Sequence, residues 1–250
     1  MSFLMGSLVL AQRGVLGISG EFPKGRVTAV IGPNGAGKST LLQLLAGLIT
    51  PDSGTVMLDG VEMKNLTPNE KARRIGYLPQ TGSGIWNVTA RELVALGRIP
   101  HRSRFAGPNA VDEAAVRNAL EATDTARLAD RPLDQMSGGE RARVLLARVF
   151  AGEPEWLLAD EPLANLDPRH QQRMMRLMLE TAARGCGVIT VLHDLNAAAT
   201  ADNVLMLSEG RVVAAGPTET VFTAEALGET YGMSFSLQKS ASGQILVGAE

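Results

Sequence analysis

Apolar positions recur along the chain in two alternating patterns. Short runs rich in β-branched residues predict buried strands, whereas apolar positions spaced three and four apart predict helices. The predicted parallel strands lie at residues 27–31, 75–78 and 188–192 and within 156–162. The predicted helices lie at residues 41–48, 110–122 and 167–183. This alternation predicts an α/β fold with a mostly parallel sheet.

Other regions depart from this alternation. Short β-type runs separated by turns at residues 3–32 and 54–62 predict a flanking antiparallel layer. At residues 81–152 strand signals give way to helix caps, so we expect an inserted helical subdomain within a single domain of residues 1–250. Residues 204–215 and 234–250 each predict a β hairpin, and the sequence assigns no function to the second.

The most specific chemical motif follows the first predicted parallel strand. The order G-x-x-x-x-G-K-[ST] between a strand and a helix is typical of a loop that binds a nucleoside triphosphate. Backbone N–H groups surround the phosphates, the lysine reaches the β and γ oxygens, and the hydroxyl ligates magnesium. This phosphate loop comprises Gly32, Pro33, Asn34, Gly35, Ala36, Gly37, Lys38, Ser39 and Thr40.

A second glycine-containing motif opens a predicted helix. Ser137 and Glu140 are spaced as a capping box, and Gly138 and Gly139 lie between them. Two glycines in a first helical turn let a phosphate approach the backbone closely. The motif therefore predicts a second contact with the γ-phosphate.

Two adjacent acids end the strand predicted within residues 156–162. Near a phosphate loop, one such carboxylate holds the metal and the other polarises water. Asp160 is the predicted metal ligand and Glu161 the predicted base. Taken alone, the pair also fits a solvated turn.

Composition narrows the function classes. The chain has 250 residues, a net charge of −2 and a pI near 6.0, so no basic field favours nucleic acid or anionic lipid. The single cysteine, Cys186, excludes an internal disulfide, and the three scattered histidines predict no metal cluster. Residues 3–10 predict a first strand rather than a signal peptide. No run reaches the ~18 apolar residues that span a bilayer, so membrane association requires a partner.

Together these motifs, in this order and at these intervals, resemble the nucleotide-binding subunit of ATP-binding-cassette (ABC) transporters over about residues 8–232. The resemblance implies a P-loop NTPase core, ATP and Mg²⁺ as cofactors, and a homodimer with ATP at its interface. The implied nucleotide contacts are the phosphate loop with Gln80, Ser137, Gly138, Gly139, Glu140 and Asp167. The implied metal ligands are Ser39, Gln80 and Asp160, and the implied catalytic groups are Lys38, Glu161 and His193.

Some of these positions have second interpretations. Asp167 precedes Pro168 and also suits a helix N-cap, and His193 also suits a strand-end histidine with a local partner. An aromatic residue that stacks on adenine is common in the family, yet none lies between Phe3 and Phe22. Arg13 is the candidate substitute for that aromatic residue.

The stretch of residues 93–101 resembles the V-A-L-G-R-x-P-H segment of ATPases that serve iron-siderophore, haem and cobalamin importers. It also fits an ordinary helix with a glycine stop and a basic loop at 98–108. The importer resemblance implies a polytopic permease and an extracellular or periplasmic substrate-binding protein. It places the chain peripherally at the cytoplasmic face of the plasma (inner) membrane. Export ATPases and soluble ABC ATPases remain alternatives, although no second cassette or coiled coil of the nucleic-acid type is predicted.

We expect the permease to dock within residues 81–104, directly after Gln80. Trp86 is the predicted apolar anchor, with Arg98 and Arg102 at the polar rim. Ordinary core packing of Trp86 is the alternative.

Overall fold

The structure is a computed structural model that describes residues 2–10, 15–80, 87–103, 107–164, 166–239 and 245–249. Its strands are β1 (Ser2–Leu10), β2 (Val15–Pro23), β3 (Val27–Ile31), β4 (Ser53–Leu58), β5 (Val61–Glu62), β6 (Ile75–Leu78), β7 (Trp156–Asp160), β8 (Gly187–Val191), β9 (Asn203–Ser208), β10 (Arg211–Pro217), β11 (Phe235–Lys239) and β12 (Ile245–Ala249). Its α-helices are α1 (Lys38–Leu45), α2 (Pro68–Arg74), α3 (Ala90–Ala95), α4 (Ala110–Ala122), α5 (Gly138–Ala151), α6 (Pro168–Ala183), α7 (Leu195–Ala198), α8 (Thr218–Val221) and α9 (Ala224–Tyr231).

A six-stranded sheet in the order β10-β9-β3-β8-β7-β6 forms the centre of the fold. Every neighbouring pair is parallel except β9 and β10, which form a hairpin turning at Glu209 and Gly210. Strands β3, β7 and β8 are buried along their whole length, as their continuous apolar runs predict. The expected mostly parallel sheet is confirmed.

An antiparallel sheet in the order β2-β1-β4-β5 flanks this centre. Its inner face shares a core with α1 and the central sheet, in which the Phe3 and Trp156 rings meet edge to face at 4.7 Å. A Cβ on Gly187 would lie 2.2 Å from the Trp156 ring, so only glycine fits opposite this indole. The flanking layer is confirmed, with strands of nine residues in β1 and β2 rather than shorter runs.

Helices occupy the described residues between β6 and β7 and have a core of their own. Helices α3, α4 and α5 enclose buried side chains that include Leu93, Val116, Leu120 and Val144. Capping boxes at Thr89, Asn109 and Ser137 begin these three helices. Residues 81–86 lie outside the described part, so the boundaries 81 and 152 stay predictions.

The predicted basic loop at 98–108 is wrong in its first part. The chain continues from α3 as a 3₁₀ helix over Leu96–His101 instead of ending at Gly97. A Cβ on Gly97 would lie 2.1 Å from the Arg148 carbonyl oxygen, so this turn passes directly against the last turn of α5. Arg98 is 4% exposed, and its prediction as a rim residue of a docking surface is therefore wrong.

The C-terminal elements pack on the other face of the central sheet. Helix α9 lies against β9 and β10, and Leu227 is fully buried. Strands β11 and β12 form an antiparallel pair in which Leu237 lies opposite Val247. The Val247 N–H donates to Oδ1 of Asn196 on α7 at 2.9 Å, which joins the pair to the segment after His193.

Candidate nucleotide site

The carboxyl ends of four parallel strands meet at one edge of the central sheet. Leu78 of β6 pairs with Ala159 of β7, and Asp160 pairs with Val191 of β8. On the other side of β8, Val30 of β3 pairs with Val191. The loops that follow these strands therefore start side by side, as expected for a ligand site of an open α/β sheet. They begin the phosphate loop and lead to Gln80, to Glu161 and to His193.

The phosphate loop turns sharply where it leaves β3. Gly32 has a φ of 148°, and a Cβ there would lie 2.0 Å from the Leu207 carbonyl oxygen of β9. Gly35 and Gly37 have φ values of 80° and 91°, which suit glycine, and α1 begins immediately after Gly37. The glycines therefore wrap the backbone around the N-terminus of α1, whose N–H groups attract anions.

Lys38 lies inside this loop. Its Nζ donates to the carbonyl oxygens of Gly32 at 2.8 Å and Pro33 at 2.9 Å, and its side chain is buried. Burial lowers the pKa of the Lys38 ammonium, although the Glu161 and Asp160 carboxylates act in the opposite direction. The ammonium is thus held at the loop with two carboxylates nearby.

A hydroxyl and a carboxylate meet beside the lysine. Oγ of Ser39 donates to Oδ1 of Asp160 at 3.1 Å, and Asp160 is 3% exposed. Burial raises the pKa of the Asp160 carboxyl, and the hydrogen bond from Ser39 lowers it. A buried carboxylate at the end of β7 is therefore in contact with the first turn of α1.

Glu161 has a left-handed backbone conformation directly after β7. Its φ is 52°. Such conformations are sparsely populated and cluster at functional sites. Nε2 of His193 donates to Oε1 of Glu161 at 2.5 Å, and their side chains are 47% and 14% exposed respectively. The local partner of His193 is thus the predicted base itself.

Three further predicted contacts form no described hydrogen bond with this cluster. Gln80 is exposed just beyond the end of β6. Ser137 and Glu140 bond each other in a complete capping box at the start of α5. Asp167 caps α6 by accepting from the His170 N–H at 3.0 Å. The capping interpretations of residues 137–140 and 167 hold in the single chain, and their nucleotide contacts stay predictions.

Tyr231 is a site neighbour that sequence reasoning missed. Its hydroxyl accepts a hydrogen bond from the Gly32 N–H at 3.0 Å across 199 positions of sequence. No motif near Tyr231 signals this contact. Arg13, the proposed adenine neighbour, and Trp86, the proposed docking anchor, lie outside the described residues.

Neither a metal-binding cluster nor a membrane-spanning helix occurs among the described residues. No group of three or more His, Cys, Asp or Glu side chains in this part of the chain is arranged to hold a metal. No helix within the described ranges has the length and hydropathy that crossing a membrane requires.

Comparison with known proteins assigns the site to a family. The model of the ABC transporter family matches residues 15–164. The chain is 43% identical to the ferric enterobactin transport ATP-binding protein FepC of Escherichia coli, over 85% of this chain and 79% of that protein. It is 47% identical to the hemin import ATP-binding protein HmuV of Nocardia farcinica, over 83% of this chain and 72% of that protein.

A solved structure agrees with these sequence relatives. An inward-facing putative metal-chelate type ABC transporter superposes with a TM-score of 0.85 at 26% identity, covering 100% of this chain and 96% of that chain. Phosphate loop, buried aspartate, adjacent glutamate and strand-end histidine occur here on the fold that the relatives share. The chain belongs to the ABC transporter family, as one of its ATP-binding subunits.

Proposed function

We propose that this chain hydrolyses ATP to drive a separate membrane permease that imports a metal chelate. The observation that carries the proposal is the cluster at the sheet edge. There, Ser39 bonds Asp160 and His193 bonds Glu161, beside the buried Lys38 of the phosphate loop. A phosphoryl-transfer site needs these groups: a cation for the phosphates, an oxygen pair for a metal and a base for water.

The oxygen donors at Ser39 and Asp160 fit Mg²⁺. This ion prefers one or two protein oxygens and completes its octahedron with water and phosphate oxygens. A hydroxyl and a carboxylate 3.1 Å apart supply such a partial shell, and Gln80 adds an amide oxygen from the neighbouring strand end. Bound magnesium would neutralise phosphate charge. Asp160 would hold the ion as a carboxylate anion.

The chain's own residues perform the remaining steps. Lys38 exchanges the Gly32 and Pro33 carbonyls for phosphate oxygens and stabilises the charge that grows there. Glu161 orients the attacking water and accepts its proton. His193, whose Nε2 donates to Glu161 in this structure, exchanges that bond for one to the γ-phosphate, as Lys38 exchanges its carbonyl partners.

The working unit is a dimer of two such chains. Residues 137–140 lie at the start of α5 and form no described hydrogen bond with the phosphate loop of their own chain. In the proposed arrangement they cover the ATP of the partner chain, and Asp167 lies at the same interface.

A groove between the core and the helices is the proposed permease site. Two cavities of about 300 Å³ each share Ala72, Ile75 and Tyr77. We call them the boundary groove; its apolar edges are Leu48 and Leu96, which are 59% and 38% exposed. It runs along β6, the strand that leads to Gln80, so a seated partner helix would move with the Gln80 loop. A peripheral subunit on the cytoplasmic membrane face follows from this docking.

The proposed cargo is a metal chelate of the iron-siderophore, haem or cobalamin kind. Two of the sequence relatives are named for ferric enterobactin and hemin, and the solved neighbour is named for a metal chelate. The 93–101 segment that suggested this class comprises the end of α3 and the 3₁₀ helix Leu96–His101 beside the boundary groove.

Reconstitution tests the proposal. The chain is purified with its co-purifying membrane protein, placed in liposomes and given a periplasmic-type binding protein loaded with ferric siderophore, haem or cobalamin. We expect one loaded binding protein to stimulate ATP hydrolysis, and Lys38→Ala to abolish both basal and stimulated rates. Stimulation by free cargo without a binding protein would indicate an exporter. The absence of any membrane partner would favour a soluble ABC ATPase.

A further inference from the structure

The phosphate loop is held from both sides at its first residue. The Gly32 carbonyl accepts from Lys38, and the Gly32 N–H donates to the Tyr231 hydroxyl at 3.0 Å. When Lys38 turns to phosphate, its bond to this carbonyl is lost. The bond to Tyr231 then remains to fix the peptide group where the loop leaves β3.

Tyr231 is itself well anchored. It ends α9, which is fastened to β9 by the buried Leu227 and by a contact between Oγ1 of Thr230 and Sδ of Met206 at 3.6 Å. Its ring meets Phe235 of β11 edge to face at 5.7 Å. Burial raises the pKa of the Tyr231 phenol, so the hydroxyl stays neutral around pH 7.

The same C-terminal segment reaches the other side of the site. Strand β12 pairs with β11, the strand that carries Phe235, and the Val247 N–H of β12 donates to Oδ1 of Asn196 on α7. Helix α7 begins two residues after His193. The segment after β10 therefore contacts both the phosphate loop and the stretch that follows the histidine.

We propose that Tyr231 is a positioning residue for nucleotide binding, which holds the phosphate loop in its binding geometry through Gly32. It acts through the Gly32 N–H, whose hydrogen bond its hydroxyl accepts. This inference rests on the proposed function, because it concerns the same ATP site. A residue of this kind changes affinity for the phosphates and leaves the chemical step, carried by Glu161, nearly intact.

The test compares two variants that each remove one hydroxyl from the end of α9. Tyr231→Phe keeps the ring and its contact with Phe235, whereas Thr230→Val keeps the shape and removes an anchor of α9 but no hydrogen bond to the phosphate loop. For both we measure kcat and KM for ATP, binding of ATP and inorganic tripolyphosphate by calorimetry, and the melting temperature without ligand. Tyr231→Phe should raise KM and both dissociation constants by about 3- to 10-fold, the size of one net hydrogen bond, with kcat within twofold. Thr230→Val should leave them within twofold whatever its melting temperature.

Other outcomes would overturn the inference. Unchanged affinity in Tyr231→Phe would show that the bond is not needed, and equal affinity losses in both variants would show a general effect of loosening α9. A fall in kcat alone would place Tyr231 in the chemical step. If wild-type protein bound ATP without hydrolysing it, the proposed function would fail while the binding measurements would still report on Tyr231.

Discussion

Glu161 combines an unfavourable backbone conformation with a short hydrogen bond to His193. A left-handed glutamate is retained where the surrounding structure holds it, here between a fully buried strand and a turn. The conformation points the carboxylate away from the strand and toward the histidine that follows β8. The backbone of one residue thus brings the carboxylate of one strand end to the imidazole of the next.

The residue-scale prediction is that Glu161→Gln retains ATP binding while turnover falls by about 10²–10⁴, because the amide cannot accept the proton of the attacking water. Steady-state hydrolysis and equilibrium binding of ATP measure the two effects separately. Lys38→Ala is the contrasting variant and should lose binding first. Near-normal turnover of Glu161→Gln would assign the base to another group.

Cys186 gives a prediction outside the site. Burial raises the pKa of its thiol from 9.0 to about 11, so little thiolate is present at pH 8. Alkylation by iodoacetamide at pH 8 should be about 100-fold slower in the native protein than in the unfolded chain, because only the thiolate reacts. The native rate should climb as pH approaches 11. Equal rates in the two states would contradict the raised pKa.

Sequence patterns predicted the members of the site that are local in the chain. The phosphate loop carries its own strand, glycines and helix start within residues 27–45, and Asp160-Glu161 end a visibly buried strand. Tyr231 could not be predicted because its bond spans 199 positions and uses a backbone N–H, which leaves no trace in side-chain pattern.

At the scale of elements, the turn Leu96–His101 is the main departure from expectation, and it braces the end of α5. Arg98 donates to Asp112 of α4 at 3.0 Å, to the Ala151 carbonyl of α5 at 2.8 Å and to Glu153 at 2.7 Å. Nε2 of His101 donates to the Gly152 carbonyl at 2.8 Å. Arg98 and His101, from the segment that resembles importer ATPases, thus satisfy carbonyl groups at the C-terminal end of α5. Residues 137–140 lie at the other end of the same helix. The three partners of Arg98 are 14 to 55 positions away in the sequence. The local pattern could not reveal them, and it therefore predicted an exposed basic loop.

Removing this brace should destabilise the helical region. Arg98→Ala leaves the buried Asp112 carboxylate without its main partner, and we expect the melting temperature to fall by about 6–12 °C. Arg91→Ala is the matched control, because the Arg91–Asp130 pair is 55% and 87% exposed and should cost about 1–2 °C. Thermal unfolding followed by circular dichroism measures both. Equal falls in melting temperature would show that the buried ion pair stabilises the protein no more than the exposed pair does.

At the scale of the whole molecule, the site is divided between two chains in the proposed dimer. With Glu161→Gln blocking hydrolysis, ATP should convert the isolated protein from monomer to dimer. Ser137→Arg in the same background should prevent the conversion, because its bulk occupies the entry of the partner's phosphate. Light scattering with and without ATP decides the question. A protein that stays monomeric in saturating ATP would contradict the divided site.

Docking is the second property of the whole molecule, and the structure moves its predicted surface. Because Arg98 is buried and Trp86 lies outside the described residues, the apolar rim of the boundary groove replaces them as the testable surface. Ile99 does not itself line the groove, but it is 57% exposed in the turn whose Leu96, Gly97 and Pro100 do. Val111 is 66% exposed on α4, outside both that turn and the groove lining. Ile99→Glu places a charge where an apolar partner helix would bind, and Val111→Glu places the same charge elsewhere on the helical region.

We expect both variants to keep basal ATPase within twofold. Only Ile99→Glu should weaken co-purification with the permease and lower cargo-stimulated hydrolysis, each by about tenfold. Equal loss in both variants would indicate a general charge effect, and full coupling in Ile99→Glu would place the permease on another surface.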